Sequence, residues 1–228
     1  MLAQRLPLRS RDRELEEFSK TLKQGAEVLG LALDEERIGD FCLYFSELKR
    51  WNRKKDLTAL RDPKEVAIKH FLDSMSLLRL LAPKERVLDI GSGAGFPGVV
   101  LKICERSLGI TLLEASFKRV VFLKQVRRIL GLEDLEIVHG RAEDREIVKA
   151  LGHGFDVVIS RALGPLKVFL AFSEPYLGEH ARAIAMKGPR WREEVEGLGG
   201  VSFRLQQVLE FELPFSMGRR ALLVFSRT

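Results

Sequence analysis

Two rhythms of apolar residues divide the chain. Between Arg11 and Leu29 the apolar positions Leu15, Phe18, Leu22, Ala26 and Leu29 recur at close to helical spacing, and Gly30 ends the run. Asp34 predicts an N-cap, with Glu35 and Glu36 in the first turn, where a helix dipole favours acid. The helix it opens carries Ile38, Phe41, Phe45, Leu48 and Trp51 on one face. A third helix is predicted from Asp62-Pro63, because proline at the first helical position gives up no hydrogen bond. Its apolar face includes Val66, Phe71, Met75, Leu78 and Leu81, and Pro83 lies just past its end.

At Arg86 the rhythm changes. Short β-like runs (Arg86–Ile90, Ile110–Leu113, Leu135–His139, Phe155–Ser160, Arg182–Met186) alternate with amphipathic segments such as Ser116–Leu130 and Ala142–Leu151. Such alternation implies a parallel sheet with helices on both faces. The tail differs: Val201–Phe211 and Ala221–Phe225 are strand-like and separated by Pro214 and Ser216-Met217-Gly218, which predicts an antiparallel ending. The expected fold class is α/β, with a helical region over 1–83 and a sheet domain over 84–228.

Composition narrows the picture without changing it. The 228 residues are 46% hydrophobic and 31% charged, which is globular and leaves no case for disorder. The net charge of +6 leans towards a polyanionic partner. Cys42 and Cys104 sit in apolar stretches and read as reduced core residues. Met1 to Lys23 lacks the apolar core of a secretory leader, and no apolar run approaches the length of a membrane span. A cytoplasmic protein with no membrane attachment is expected, and a monomer.

The chemistry concentrates in Asp89-Ile90-Gly91-Ser92-Gly93-Ala94-Gly95-Phe96-Pro97-Gly98, between the first strand of the sheet and its first helix. Glycines there let the backbone turn sharply and let a ligand approach. A dinucleotide is one candidate, since Gly93 to Gly98 fits G-x-G-x-x-G and Glu114 follows at the expected distance. S-adenosylmethionine is the other. Asp89, placed just before the glycines where it would face a cationic ligand and repel a pyrophosphate, favours the second. The alternative is that Asp89 only caps the loop by binding backbone N–H groups. Glu114, at the end of the second strand, is suited to accept both ribose hydroxyls of an adenosine. Ala142 and Glu143, after the third strand, are placed to meet an adenine edge, or to open the next helix.

These residues resemble the RsmG (GidB) family, bacterial methyltransferases for 16S ribosomal RNA. The loop ending in Phe96-Pro97-Gly98 carries the likeness. Trp51-Asn52 with Asp56-Leu57-Thr58-Ala59 resembles the family's W-N-x-x-x-N-L-T segment, and His70 to Ser74 its H-x-x-D-S motif. Lys118-Arg119 with Phe122-Leu123, Ser160-Arg161-Ala162 and Met186-Lys187-Gly188 match further motifs. Asp56 stands where the family usually has Asn. The resemblance implies a Rossmann-like, S-adenosylmethionine-dependent methyltransferase sheet. It implies transfer to N7 of one guanine, and cofactor contacts at Gly91, Phe96, Ala142, Glu143 and Arg161. With Asp89, Gly93, Gly95 and Glu114 these complete the expected cofactor set.

Guanine N7 already presents a lone pair, so no general base is required. The four histidines are scattered and form no metal or nucleophile–base motif. Arg161 and Lys187, ending the fourth and fifth strands, are the expected catalytic residues, acting on a phosphate or on guanine O6. His70 and Asp73 share a helix face. The expected RNA contacts are Lys49, Arg50, Arg53, Lys54, Lys55 and Arg119, and Arg190 and Arg192 are candidates to widen the patch with Arg119. Trp51 is a candidate for base stacking but equally fits the apolar face of its helix. A methyltransferase for another substrate, a nicotinamide-dependent oxidoreductase and a non-catalytic RNA-binding module are the competing functions.

Overall fold

A computed structural model describes residues 8–228; the expectation of no secretory leader rests partly on Met1 to Pro7, outside that range. Helix α1 (Leu8–Val28) buries Phe18, Leu22 and Ala26. Helix α2 (Glu35–Lys55) is capped by Asp34, whose side chain accepts from the Arg37 N–H, and buries Ile38, Phe41, Tyr44, Phe45, Leu48 and Asn52. Trp51, expected on this face, is half-buried: it packs against the core, edge-on to Phe122 at 5.6 Å, and its Nε1 donates to Glu47 at 2.8 Å. Asp56 ends the helix in the left-handed region (φ 46°, ψ 59°), which Asn and Asp tolerate better than most residues. That backbone requirement accounts for the choice between these two residue types.

The third helix is a composite. It runs as α3 (Pro63–Val66), a π-helical segment (Ala67–Leu72), α4 (Asp73–Met75) and a 3-10 stretch (Ser76–Leu80). Such π segments recur at functional sites. This one carries His70.

The sheet follows. Its elements are β1 (Arg86–Ile90), α5 (Gly98–Cys104), β2 (Gly109–Glu114), α6 (Phe117–Ile129), β3 (Glu136–His139), α7 (Arg145–Leu151) and β4 (Phe155–Arg161), then α8 (Leu166–Ser173), β5 (Leu177–Lys187), α9 (Trp191–Glu196), β6 (Phe203–Glu212) and β7 (Arg219–Arg227). The strand order is β3-β2-β1-β4-β5-β7-β6, parallel except for β7, which runs antiparallel to both neighbours. The order reverses between β1 and β4, the switch point where open α/β sheets bind ligands.

Alternation along the strands sorts side chains to two faces. Val87, Leu112, Ile159 and Ile184 pack with the N-terminal helices and α5 and α6, while Leu88, Leu113, Val158 and Ala183 join Leu166, Phe169 and Tyr176 on the other face. The first cluster runs without a break from Phe18 and Phe41 through Phe71 to Val99 and Phe122. The core therefore crosses Pro83, where the architecture changes. Phe71 is its pivot: fully buried, it presents its ring edge-on to Phe18, Phe41, Tyr44 and Phe96 at centroid distances of 4.9, 5.6, 5.2 and 5.2 Å. Each such pair adds roughly 0.5–1.5 kcal/mol to the burial itself.

Candidate active site

The loop after β1 is shaped by positive φ at Gly91, Gly93 and Gly95. Gly95 also has no room for a side chain: a Cβ there would stand 2.6 Å from Tyr44 Oη and 2.5 Å from Val99 Cγ2. Tyr44 Oη donates to the Ala94 carbonyl, so α2 braces the loop from behind. Gly93 faces the other way, and a Cβ there would meet only the Gly91 carbonyl, 3.9 Å off. This open side is the cradle that a ligand would use.

Glu114 ends β2 almost fully buried. Its Oε2 accepts from the Gly93 N–H at 2.8 Å and its Oε1 from the Ser116 N–H at 2.7 Å. One lone pair on each oxygen remains for ligand hydroxyls. Next to it a pocket of about 160 Å³ is lined by Ile90, Gly91, Leu113, Ala142, Leu163 and Phe172, among others. Its apolar walls suit a flat heteroaromatic ring. Arg141 to Asp144 form a turn ahead of α7, pinned where Tyr176 Oη donates to the Ala142 carbonyl at 2.7 Å. The donor set therefore fits an adenosine: a carboxylate for the ribose, backbone at an apolar slot for the base.

Asp89 is placed differently from the expectation that it faces the ligand. It is fully buried beneath the loop, where its Oδ2 accepts from the Gly98 N–H at 2.9 Å. Its Oδ1 has no hydrogen-bond partner. Burial pushes the carboxyl up to about 7, against the pull of the Gly98 bond and of Arg161. The alternative stated for Asp89, a cap on the loop, describes what is seen. The cause is steric: β1 points Asp89 to the α5 face, and Gly98 allows the approach, since a Cβ there would stand 2.8 Å from Oδ2.

On the other side of the switch point, Arg161 ends β4 and is held by the composite helix. Its Nη1 donates to the Lys69 carbonyl at 2.8 Å and lies 3.4 Å from Asp73 Oδ2. Its Nη2 meets His70 Nδ1 at 3.0 Å. A guanidinium only donates, so Nδ1 accepts and the ring proton sits on Nε2. Burial and the Arg161 charge push the imidazole down to about 3, which keeps it neutral. Nε2 then donates to Thr58 Oγ1 at 2.7 Å. Thr58 is fixed in turn by Asn52, whose Oδ1 accepts from the Thr58 N–H and whose Nδ2 donates to the Thr58 carbonyl. The imidazole also stacks on Phe96 of the glycine loop at 4.6 Å and 18°.

Asp73 has a second cation, Arg220 of β7, with Nε 3.3 Å from Oδ1. Burial pushes its carboxyl up while the two guanidiniums pull it down. These groups line a pocket of about 420 Å³ with Leu60, Ala162, Met186 and Gly188. Sequence reasoning missed Arg220. It lies far along the chain in a hairpin, and only the pairing of β7 with β5 brings it here. Lys187 lines the same pocket, yet its ammonium is committed: Nζ donates to the Gly164 carbonyl at 2.9 Å and to Glu194 Oε2 at 2.7 Å. Two of its three N–H donors are thus used, and they fix its place in the pocket wall.

The basic run is partly neutralised. Lys49 pairs with Glu14 and Arg50 with Glu47, while Arg53, Lys54 and Lys55 are exposed. Lys118 Nζ donates to the Lys55 carbonyl at 2.8 Å, so the start of α6 joins the end of α2. Arg119, on this α6 start, lies 3.8 Å from Glu114 Oε1. The two basic segments thus meet beside Glu114. Arg192 belongs elsewhere, 2.8 Å from Glu210 of β6. No helix among the described residues is long and apolar enough to cross a membrane, and none of their His, Cys, Asp and Glu side chains cluster as a metal site.

Comparison with known proteins agrees with this geometry. Residues 37–222 match the GidB family, described as rRNA small subunit methyltransferase G. A ribosomal RNA small subunit methyltransferase G from Geotalea uraniireducens is 41% identical over 216 residues, covering 93% of this chain and 98% of that one. The protein of the same name from Caldanaerobacter subterraneus is 42% identical over 201 residues, covering 86% and 84%. Among solved structures, a predicted O-methyltransferase from Agrobacterium tumefaciens superposes with a TM-score of 0.57 at 19% identity over 68% of this chain and 80% of that one. Fibrillarin from Aeropyrum pernix, solved with bound S-adenosyl-L-methionine, gives 0.52 at 15% identity over 66% and 72%. Those two likenesses show the fold. Identity along nearly the whole chain shows more: with an S-adenosylmethionine-dependent methyltransferase fold, this chain belongs to the rRNA small subunit methyltransferase G family.

Proposed function

We propose that this chain methylates N7 of a guanine in 16S ribosomal RNA, as a cytoplasmic monomer acting on the small ribosomal subunit or its RNA. S-adenosylmethionine supplies the methyl as an electrophilic carbon on a sulfonium. In this proposal the open side of the loop (Gly91, Gly93, Gly95, with Phe96) receives that cofactor, Glu114 takes the ribose hydroxyls, and the turn at Ala142 and Glu143 meets the adenine edge. Asp89 acts from beneath, holding the loop to α5. Residues 84–228 would supply the cofactor site, and the helices of 1–83 the floor of the substrate pocket.

The observation that carries the reading is the mounting of Arg161. It is held from behind by the Lys69 carbonyl, His70 and Asp73, at the sheet edge that faces both loop and pocket. Its Nε–H and one Nη2–H are left for a substrate acceptor such as guanine O6, next to N7. Because those donors are already fixed, alignment costs no rearrangement during reaction. Arg161 takes up no proton, and His70 has both ring nitrogens committed. That suits a nucleophile that arrives with its lone pair free. Arg53, Lys54, Lys55 and Arg119 would hold the RNA backbone, with Lys49 and Arg50 behind them in their ion pairs.

Calorimetric titration with S-adenosylmethionine, S-adenosylhomocysteine and NAD, followed by radiolabelled transfer to small subunits lacking the modification, tests this. The first two should bind and the label should appear at guanine N7 of 16S RNA. Binding of NAD alone, or label in protein or at another RNA position, would overturn the proposal.

A further inference from the structure

The turn between β6 and β7 is strained and displays an aromatic ring. Phe215 (φ 62°) and Ser216 (φ 53°) both lie in the left-handed region, two consecutive residues that pay for it without being glycine. Leu213 and Pro214 before them are buried, and the Leu213 N–H donates to the Gly218 carbonyl at 2.9 Å, so the turn is anchored. Phe215 nevertheless leaves 42% of its surface exposed. The fold covers the rest of the ring, its open part is free to meet a ligand, and strained residues gather where a ligand is bound.

Its setting indicates which ligand. Ala221 of β7 pairs with Lys187, the last residue of β5, so the turn projects past the carboxyl ends of the parallel strands. That is the edge holding the glycine loop and Arg161. Lys64 Nζ lies over the Phe215 ring, 5.6 Å from its centroid. Arg219 and Arg220 follow on the same strand end, Arg220 lining the substrate pocket. Of the nearby acids, Glu65 is tied to Lys69 and Glu212 stands opposite Arg219. The result is an exposed ring with Lys64 over its face, next to the strand end that carries Arg219 and the pocket-lining Arg220.

We propose that Phe215 is a stacking platform for an unpaired base of the ribosomal RNA substrate, a neighbour of the target guanine, with Lys64 and Arg219 on its phosphates. Aromatic platforms with flanking cations take single-stranded nucleic acid in this way. This rests on the function proposed above and adds a second point of grip, on the far side of the pocket from the basic face of α2 and α6. The left-handed backbone is what turns the ring outward.

Strain and function should then part company on substitution. Phe215→Asn relieves the strain and removes the platform. It should raise Tm by a degree or more while raising KM for small subunits about tenfold, with S-adenosylmethionine affinity unchanged. Phe215→Trp should keep KM within about twofold. Ser216→Gly, which relieves strain alone, should raise Tm and leave KM as it was. If wild-type chain labels 16S RNA and Phe215→Asn keeps its KM, or Ser216→Gly raises KM as much, the platform is wrong and the function stands. If wild-type chain binds cofactor and leaves 16S RNA unlabelled, the function fails and the platform with it.

Discussion

The two walls of the cleft are made by opposite means. The glycine-loop wall is one continuous stretch, Gly91 to Gly98, shaped by backbone torsions and tied by N–H groups to Glu114 and Asp89. The opposite wall gathers His70, Asp73, Arg161 and Arg220 from separate elements, with Thr58 bonded to His70, and is shaped by charges withdrawn from water. On its packed side, at Gly95 and Gly98, a wall of backbone has no room for added atoms, and on its open side, at Gly93, added atoms would occupy ligand space. A wall of buried charge has no tolerance for removed ones, because each lost partner strands another.

Substitutions at four positions probe that contrast, in descending order of expected effect. Gly93→Asp adds atoms and a charge on the open side of the loop, at a φ that Asp tolerates. S-adenosylmethionine affinity should fall about 1000-fold, roughly 4 kcal/mol, with little change in Tm; affinity kept within tenfold in a titration would move the cofactor away from this loop. Arg161→Ala removes the positioned donor while leaving Arg220 on Asp73. Single-turnover methyl transfer should slow about 100-fold or more, roughly 3 kcal/mol, with cofactor affinity nearly unchanged. A variant that fails to fold would make Arg161 a structural tie.

Asp89 offers a test through pH. Its folded value of about 7 lies above the ordinary 3.8, so it favours the fold below about pH 4, and that contribution is lost as pH rises through 7. Without cofactor, stability should fall between pH 5 and 8 by up to about 3 kcal/mol on this account. Asp89→Asn should flatten that slope in denaturant titrations at the two pH values. An unchanged slope would mean that the carboxyl is ionised throughout. The smallest effect belongs to His70. His70→Phe keeps the stack on Phe96 but removes the acceptor for Arg161, and should cost about tenfold in rate, near 1.4 kcal/mol. His70→Asn, which restores an acceptor, should recover part of it. With the ring at about 3, wild-type rates should show no histidine step between pH 6 and 8; such a step would break the relay from Arg161 to Thr58.

Much of the architecture was legible in the sequence because burial alternates so regularly. The strands of the parallel part fall within a residue or two of the apolar runs, except β5, which starts earlier, at Leu177. The glycine loop was legible because conformation and contact there are local. The π segment was not: Val66, Phe71 and Met75 fit an ordinary helix equally well, and only packing reveals the wider turn. Asp89 shows a different limit. Its position in the loop motif pointed to the right cofactor for a reason the geometry does not support, since pattern cannot tell which face of β1 a side chain takes. Of the Arg161–Asp73–Arg220 cluster only the His70–Asp73 neighbourhood was visible, because i, i+3 spacing is local, whereas Arg161 lies 88 residues from Asp73 and Arg220 arrives on a hairpin's return strand.

The place of β7 has one more consequence, which concerns the making of the protein. It lies between β5 and β6 although it follows both in the chain. During synthesis, with residues emerging at roughly 5–20 per second, β6 waits without its ladder partner until β7 clears the ribosome. The loop, Glu114 and even Arg161 precede that moment; Arg220 does not. The nascent chain thus carries Gly93, Glu114 and Arg161 before it carries Arg220, and the cluster around Asp73 closes only when β7 slots between β5 and β6.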